Sequence, residues 1–108
     1  MNLRDAARDK PCQVRIPGVC NGQNETTVLA HIGIAGTRGM GYKGPDLAAA
    51  WCCSDCHNVI DSRVPHPAGL TKETIRGYAM DGVLRTLTYI STSGTLSVRN
   101  NQLYWSPR

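Results

Sequence analysis

Two short stretches in the first half of the chain are rich in apolar and β-branched residues. Residues 26–32 (TTVLAHI) have the composition of a strand, and residues 47–52 (LAAAWC) form an apolar run whose short length favours a buried strand. Residues 33–45 between them contain five glycines and one proline, which is typical of a loop. The pattern therefore predicts two strands joined by a glycine-rich loop.

Two helices of unequal length are expected after the second strand. Ser54 is a suitable N-cap for a short helix over residues 55–63, which should end before Pro65. Thr71 is a candidate N-cap for a longer helix over about residues 72–86. The apolar positions that would share one face of this longer helix are Ile75, Tyr78, Ala79, Val83 and Leu87.

The two ends of the chain carry weaker patterns. Residues 1–11 are polar and predict a short helix or arm, on which Arg4 and Arg8 are either solvated charges or phosphate contacts. Residues 95–105 alternate on both sides of Asn100-Asn101, which predicts a terminal β-hairpin. Residues 87–90 are a candidate third strand for that hairpin.

The composition describes a single small domain, residues 1–108, that would gain from a metal. Phenylalanine is absent, aromatic residues make up 6%, and glycine and proline together account for 17 positions, so the apolar core is small. The first ten residues lack the apolar segment of a secretory signal, and no stretch is apolar enough for a membrane span. We therefore expect a cytoplasmic protein without a membrane partner, whose five cysteines stay reduced and act as metal ligands.

Four of the cysteines form two pairs. Residues 13–16 alternate in polarity and Pro17-Gly18 predicts a turn, so a hairpin would bring the ends of the first pair together. The second pair has the spacing of a metal-binding knuckle at the start of a helix. The pairs are Cys12 with Cys20 and Cys53 with Cys56, and together they predict one structural Zn²⁺. The alternative is buried free thiols, and this is how we interpret the fifth cysteine, Cys52.

A second group of chemically active residues surrounds the CxxCH segment. His57 follows Cys56, and Asp61 lies four residues later on the same helical face, so the two could share a divalent cation or form an ordinary surface pair. His31 lies in the first predicted strand, where a histidine is often a core residue. Asp46 at the end of the glycine loop could accept a hydrogen bond from its ring, which would orient His31 as a general base.

The order of these features resembles that of the HNH endonucleases, and in particular of the small HNH-like nucleases of phages and prophages. The resemblance rests on C-x7-C, AHI, K-x-PD and CxxCH, and it covers roughly residues 4–63. It implies an α+β fold with a zinc-stabilised treble-clef, or ββα-metal, core over about residues 12–63. A helix and a terminal hairpin over about residues 71–106 would extend this core.

The resemblance also implies roles for individual residues. His31 falls at the general base, His57 at the metal-binding histidine of the helix, and Asp61 at a second helix ligand. Asp46 stands where the family usually has the asparagine that orients the base. Ala30 stands where many members have a further metal ligand, which leaves His57 and Asp61 as the expected ligands of the catalytic ion. The alternatives are weak metal binding, a further ligand from Asp46, or a lost activity.

The function implied is a metal-dependent endonuclease that hydrolyses phosphodiester bonds, with DNA as the expected substrate and Mg²⁺ or another divalent ion as cofactor. Phage-type recombination or DNA processing in the cytoplasm of a bacterial host would be its setting. Arg38, Lys43 and Arg63 are the cations placed by the sequence to hold phosphates, unless they are solvated loop charges. Ala30 favours a nucleic-acid-binding module that has lost catalysis, whereas the modest net charge of +4 favours a protein-interaction domain.

Overall fold

The computed structural model describes residues 1–33 and 45–108, which form an α+β domain. A short helix α1 (Leu3–Ala6) precedes a 3-10 turn at Asn24–Thr26 and strand β1 (Val28–His31). Strand β2 (Ala49–Cys52) is followed directly by helix α2 (Ser54–Ile60). The chain ends with the long helix α3 (Lys72–Ser93) and strands β3 (Gly94–Arg99) and β4 (Gln102–Pro107). The two predicted strands, the two helices and the terminal hairpin are all present.

Strands β1 and β2 pair in antiparallel register, from Val28 opposite Cys52 to His31 opposite Ala49. All four residues of β2 are buried, as its apolar sequence predicts. The backbone of Trp51 faces away from β1, where its N–H donates to the Thr86 hydroxyl at 3.0 Å and its carbonyl accepts from Gln13 N at 2.8 Å. The outer side of β2 is therefore bonded to α3 and to the first cysteine segment.

The domain contains two apolar cores, one on each side of the β1–β2 hairpin. The first surrounds the cysteines and includes Val14, Ile16, Ala30, Ala50, Val59, Ile75, Ala79 and Val83. The second includes Leu3, Ala6, Leu29, Trp51, Ile90 and Trp105. Neighbouring residues of β1 and β2 contribute to different cores because side chains alternate across a sheet.

Helix α3 continues through the segment that was expected to form a third strand. Residues 87–90 are helical, and Ile90 is buried in the second core, where its carbonyl accepts a hydrogen bond from Trp105 Nε1 at 2.9 Å. At the hydroxyl-rich end of α3, Thr88 and Thr92 donate to carbonyls four residues earlier, so their hydroxyls find partners within the helix. The terminal hairpin therefore has two strands of its own and packs on α3.

Two local expectations were also wrong. Residues 13–16 do not form a strand, since Arg15 adopts φ 55° and the amides of Val19 and Cys20 both donate to the carbonyl of Ile16. This tight turn still brings Cys12 and Cys20 together. The N-cap of α2 is Cys53 rather than Ser54, because the Cys53 sulfur accepts from the backbone N–H of Cys56 at 3.5 Å.

Candidate functional site

The four paired cysteines converge on one point at the start of α2. Their sulfur atoms all lie within 4.8 Å of one another, and the Sγ atoms of Cys20 and Cys53 are 4.0 Å apart. Thiolates on a tetrahedral Zn²⁺ at about 2.3 Å lie about 3.8 Å from each other, so the cluster needs little adjustment to hold an ion. Cys12, Cys53 and Cys56 are buried and Cys20 is half-buried. Four nearby thiols in a mostly closed site can therefore bind a metal.

Cys52 lies beside this cluster as a fully buried core residue, as expected. Cys52 Sγ donates to the carbonyl of Cys53 at 3.4 Å, and the neighbouring thiols of Cys12 and Cys56, together with burial, raise the pKa of Cys52. The pKa of Cys12 is lowered. The main cause is the neighbouring thiol of Cys52, and the second is the thiol of Cys56. Cys52 is thus a neutral thiol that supports the cluster without belonging to its four ligands.

His57 and Asp61 meet on the exposed side of the same helix. His57 Nε2 lies 3.0 Å from Asp61 Oδ2, and the side chains are 22% and 32% exposed. Burial lowers the pKa of His57, against the opposing effect of Asp61, while Arg63 and His31 lower it further. A neutral imidazole has the lone pair that a metal requires.

His31 is held by the carboxylate of Asp46 across the start of β2. His31 Nε2 donates to Asp46 Oδ1 at 2.7 Å, and the His31 side chain is 11% exposed. A neutral imidazole carries one proton, so this bond leaves the lone pair on Nδ1. His31 and Asp61 line the same cleft, so the His31 side chain borders an opening at the surface and is not enclosed in an apolar core.

Of the three cations expected to hold phosphates, only Arg63 lies within the described residues. Arg63 is paired with Asp61, its Nη2 lying 3.1 Å from the same Oδ2 that contacts His57, and its Nη1 donates to Asn58 Oδ1 at 3.4 Å. It therefore balances the Asp61 charge in this structure. Arg38 and Lys43 lie outside the described residues.

The sequence interpretation missed three basic residues near His31. Lys72 and Arg76 on α3, together with His66 before it, line the same cleft as His31 and Asp61. Lys72 and Arg76 are exposed, and Arg76 Nη1 donates to the carbonyl of Gly33 at 2.8 Å. Their spacing of four residues on a predicted helix was a usable signal, but it did not reveal which site that helix face would border.

A family model and two relatives agree on one family for this chain. The family model described as "Putative nuclease YbcO" matches residues 1–95. Two proteins of that name, from Escherichia coli (strain K12) and Enterobacteria phage 82, are each 54% identical to this chain over 86 residues. The alignments cover 79% of this chain and 85% of each relative.

A solved structure extends the likeness to three dimensions. It is titled "Structure of a putative bacteriophage protein from Escherichia coli str. K-12 substr. MG1655" and matches with a TM-score of 0.63 and 42% identity. The match covers 82% of this chain and 95% of that one. Within the residues that our structure describes, no helix has the length and apolar character needed to cross a membrane.

Proposed function

The chain belongs to the family described as "Putative nuclease YbcO", and on that premise we propose that it is a metal-dependent endonuclease of the HNH type that acts on DNA. In this proposal His31 and Asp46 provide the general base, and His57 and Asp61 hold the catalytic divalent ion. Cys12, Cys20, Cys53 and Cys56 hold a structural Zn²⁺ at the base of a treble-clef, or ββα-metal, core.

The observation that carries the proposal is the distance between the two candidate ligand atoms. His57 Nε2 and Asp61 Oδ2 are separated by 3.0 Å. Neighbouring ligands of an octahedral ion at about 2.1 Å are about 3.0 Å apart, so both atoms fit two adjacent positions of one Mg²⁺-type ion. Two protein ligands leave further positions for water and a phosphate oxygen, which is the open coordination of a catalytic ion.

The proposed role of His31 follows from its hydrogen bond. Because Asp46 accepts from Nε2, the lone pair on Nδ1 can take a proton from a water molecule as that water attacks phosphorus. The same bond stabilises the imidazolium that this transfer creates, and it prevents the ring from turning. Asp46 is thus a positioning residue that acts through His31.

The chemistry also needs positive charge beside the scissile phosphate. A divalent ion bound by His57 and Asp61 would supply it to the pentacovalent intermediate and to the leaving 3′ oxygen. Arg63 lies against Asp61 and would move to a phosphate oxygen when the ion takes over its carboxylate. Arg38 and Lys43 remain proposed phosphate contacts of the glycine-rich segment.

Nicking of supercoiled plasmid DNA tests the proposal directly. Purified protein should nick DNA when Mg²⁺ or Mn²⁺ is added, and His31→Ala prepared identically should not. The Arg99→Gln protein, changed on the terminal hairpin, controls for contaminating nucleases and should retain activity. Equal nicking by wild type and His31→Ala would rule out the mechanism.

A second candidate is a zinc-stabilised nucleic-acid-binding module without catalysis, and Ala30 favours it. Ala30 is buried and offers no ligand atom at the position where the HNH resemblance places one. Salt-dependent DNA binding without nicking at any divalent ion would select this candidate. If the protein binds no nucleic acid, the third candidate, a protein-interaction domain, would take its place.

A further inference from the structure

Two clefts adjoin the His57–Asp61 contact, one lined by Asp61 and the other by His57. The first has a volume of about 320 Å³ and lies between the end of α2 and the start of α3. Asp61 lines it with His31, His66, Lys72 and Arg76. Asp61 is 3.0 Å from His57, and His57 lines the second cleft. The candidate metal ligands therefore lie where the two clefts adjoin.

The second cleft lies between α1 and the edge of β1 and has a volume of about 570 Å³. Its wall includes Arg4 and Arg8 of the N-terminal segment, facing Thr27, Leu29 and His57. Thr27 is buried, and within the described residues its hydroxyl has no hydrogen-bond partner.

Both clefts have the charge that a phosphate chain requires. Each presents two exposed cations and one carboxylate: Lys72 and Arg76 with Asp61 in the first, and Arg4 and Arg8 with Asp5 in the second. The Arg8–Asp5 pair is 3.5 Å apart with side chains 80% and 51% exposed, so it is weak and easily exchanged for a phosphate. Arg76 uses one N–H for the Gly33 carbonyl, while its guanidinium has five.

We propose that these two clefts form one continuous track for the phosphodiester backbone, with the cleaved bond at His57 and Asp61. Lys72 and Arg76 contact phosphates on one side of that bond, and Arg4 and Arg8 contact phosphates on the other side. This inference rests on the proposed function and adds the path of the substrate. It also assigns the N-terminal arginines to phosphate contacts instead of solvated charges.

Binding measurements on two double variants test the track. Fluorescence anisotropy would follow a labelled DNA duplex, and an RNA duplex of the same sequence, in the His31→Ala background so that the probe stays intact. Arg4→Gln/Arg8→Gln and Lys72→Gln/Arg76→Gln should each weaken binding about tenfold or more and reduce the slope of log K against log salt by about 2. Arg99→Gln, which removes an exposed cation outside both clefts, should change neither quantity.

The two halves of the track are distinguished by neutral methylphosphonate linkages placed on either side of the cleaved bond. A neutral linkage on one side should lower the affinity of the His31→Ala protein. It should cause no further loss in the double variant that already lacks the contact to that side. The same linkage should add fully to the effect of the other double variant. Additive losses in all four combinations would overturn the two-sided arrangement.

The outcomes separate the track from the catalytic proposal. If both double variants bind like Arg99→Gln, the track is wrong even when plasmid nicking is normal. If they lose affinity and salt dependence as expected while wild type nicks nothing, the track stands and the proposed catalysis fails. RNA bound as tightly as DNA would support a backbone track, and it would remove DNA as the assigned substrate.

Discussion

The cysteine cluster and the His57–Asp61 pair both adjoin the seven-residue helix α2 and differ in completeness. The cluster has four converging ligands, three of them buried, whereas the pair offers two ligand atoms on partly exposed side chains. Cys56 and His57 are neighbours in the sequence yet belong to different sites. A closed set of four ligands suits a structural metal, and an open pair suits an ion that must also bind substrate. In the proposed function, the closed group stabilises the fold and the open pair carries the chemistry.

The largest effect should come from breaking the closed site. Cys53→Ser removes one of the four thiols proposed to hold zinc but keeps a side-chain oxygen that can cap α2, since serine is a preferred N-cap residue. Structural Zn²⁺ contributes roughly 10 kcal/mol or more to folding in small domains. We expect the variant to lose zinc and fail to fold, as measured by metal analysis and circular dichroism. Cys52→Ser should keep full zinc occupancy, and zinc loss in this variant as well would contradict the four-ligand assignment.

Changes at the open site should leave the fold intact and remove chemistry instead. His31→Ala should lower the nicking rate about 10²–10⁴-fold, because a general base is lost. His57→Ala should be at least as severe, since one of only two proposed protein ligands disappears. Both proteins should unfold thermally like wild type with zinc bound. Loss of zinc from His57→Ala would show that the two sites are not separate.

Asp46 allows a finer test of the open site. Asp46→Ala removes the acceptor of the His31 bond and should slow nicking about 10- to 100-fold by releasing the ring. Asp46→Asn keeps an oxygen that accepts the same N–H, so its activity should remain close to wild type. Equal losses in the alanine and asparagine variants would argue against positioning through this hydrogen bond.

The smallest expected effect concerns packing behind the closed site. A Cβ on Gly82 would lie 2.7 Å from Val14 Cγ2 and 3.1 Å from Val14 Cα, so α3 approaches the first cysteine segment closely only with glycine there. Gly82→Ala should lower the free energy of unfolding by about 1 kcal/mol. Gly77 on the same helix has open space around it, so Gly77→Ala should raise stability by about 0.5–1 kcal/mol.

These two glycine variants can be compared by urea unfolding monitored at the tryptophans. Opposite signs are expected because the change in helix propensity is the same and only the contact with Val14 differs. Stabilisation in both variants would mean that the Cys12–Cys20 segment moves easily away from α3. That result would make the closed site less rigid than its four ligands suggest.

Much of the fold was predictable because its signals are local. Cysteine spacing, the Thr71 cap and the Asn100-Asn101 turn each act over a few residues, and the corresponding elements are present. The extension of α3 beyond residue 86 was not predictable in the same way. It depends on Ile90 meeting Trp105 in the second core, a contact that helix periodicity does not encode.

The candidate site likewise combines contacts that the sequence predicts with one that it does not. The spacing of His57 and Asp61 predicts their contact, because residues four apart share a helix face. The approach of Asp46 to His31 was expected from a possible hydrogen bond and is present at 2.7 Å. The position of Arg76 opposite Gly33 depends on the path of the connection between α2 and α3. No periodicity in the sequence encodes that path.

The hydroxyl of Thr86 has a consequence for association with other chains. Two-stranded sheets expose edges whose backbone groups can recruit a strand from a neighbouring molecule and start aggregation. At the centre of β2, the outward N–H of Trp51 is taken by Thr86 and the outward carbonyl by Gln13. A helix side chain and a turn of backbone thus occupy the positions that an incoming strand would need. The outer edge of β2 is thereby protected at its centre from pairing with the strand of another chain.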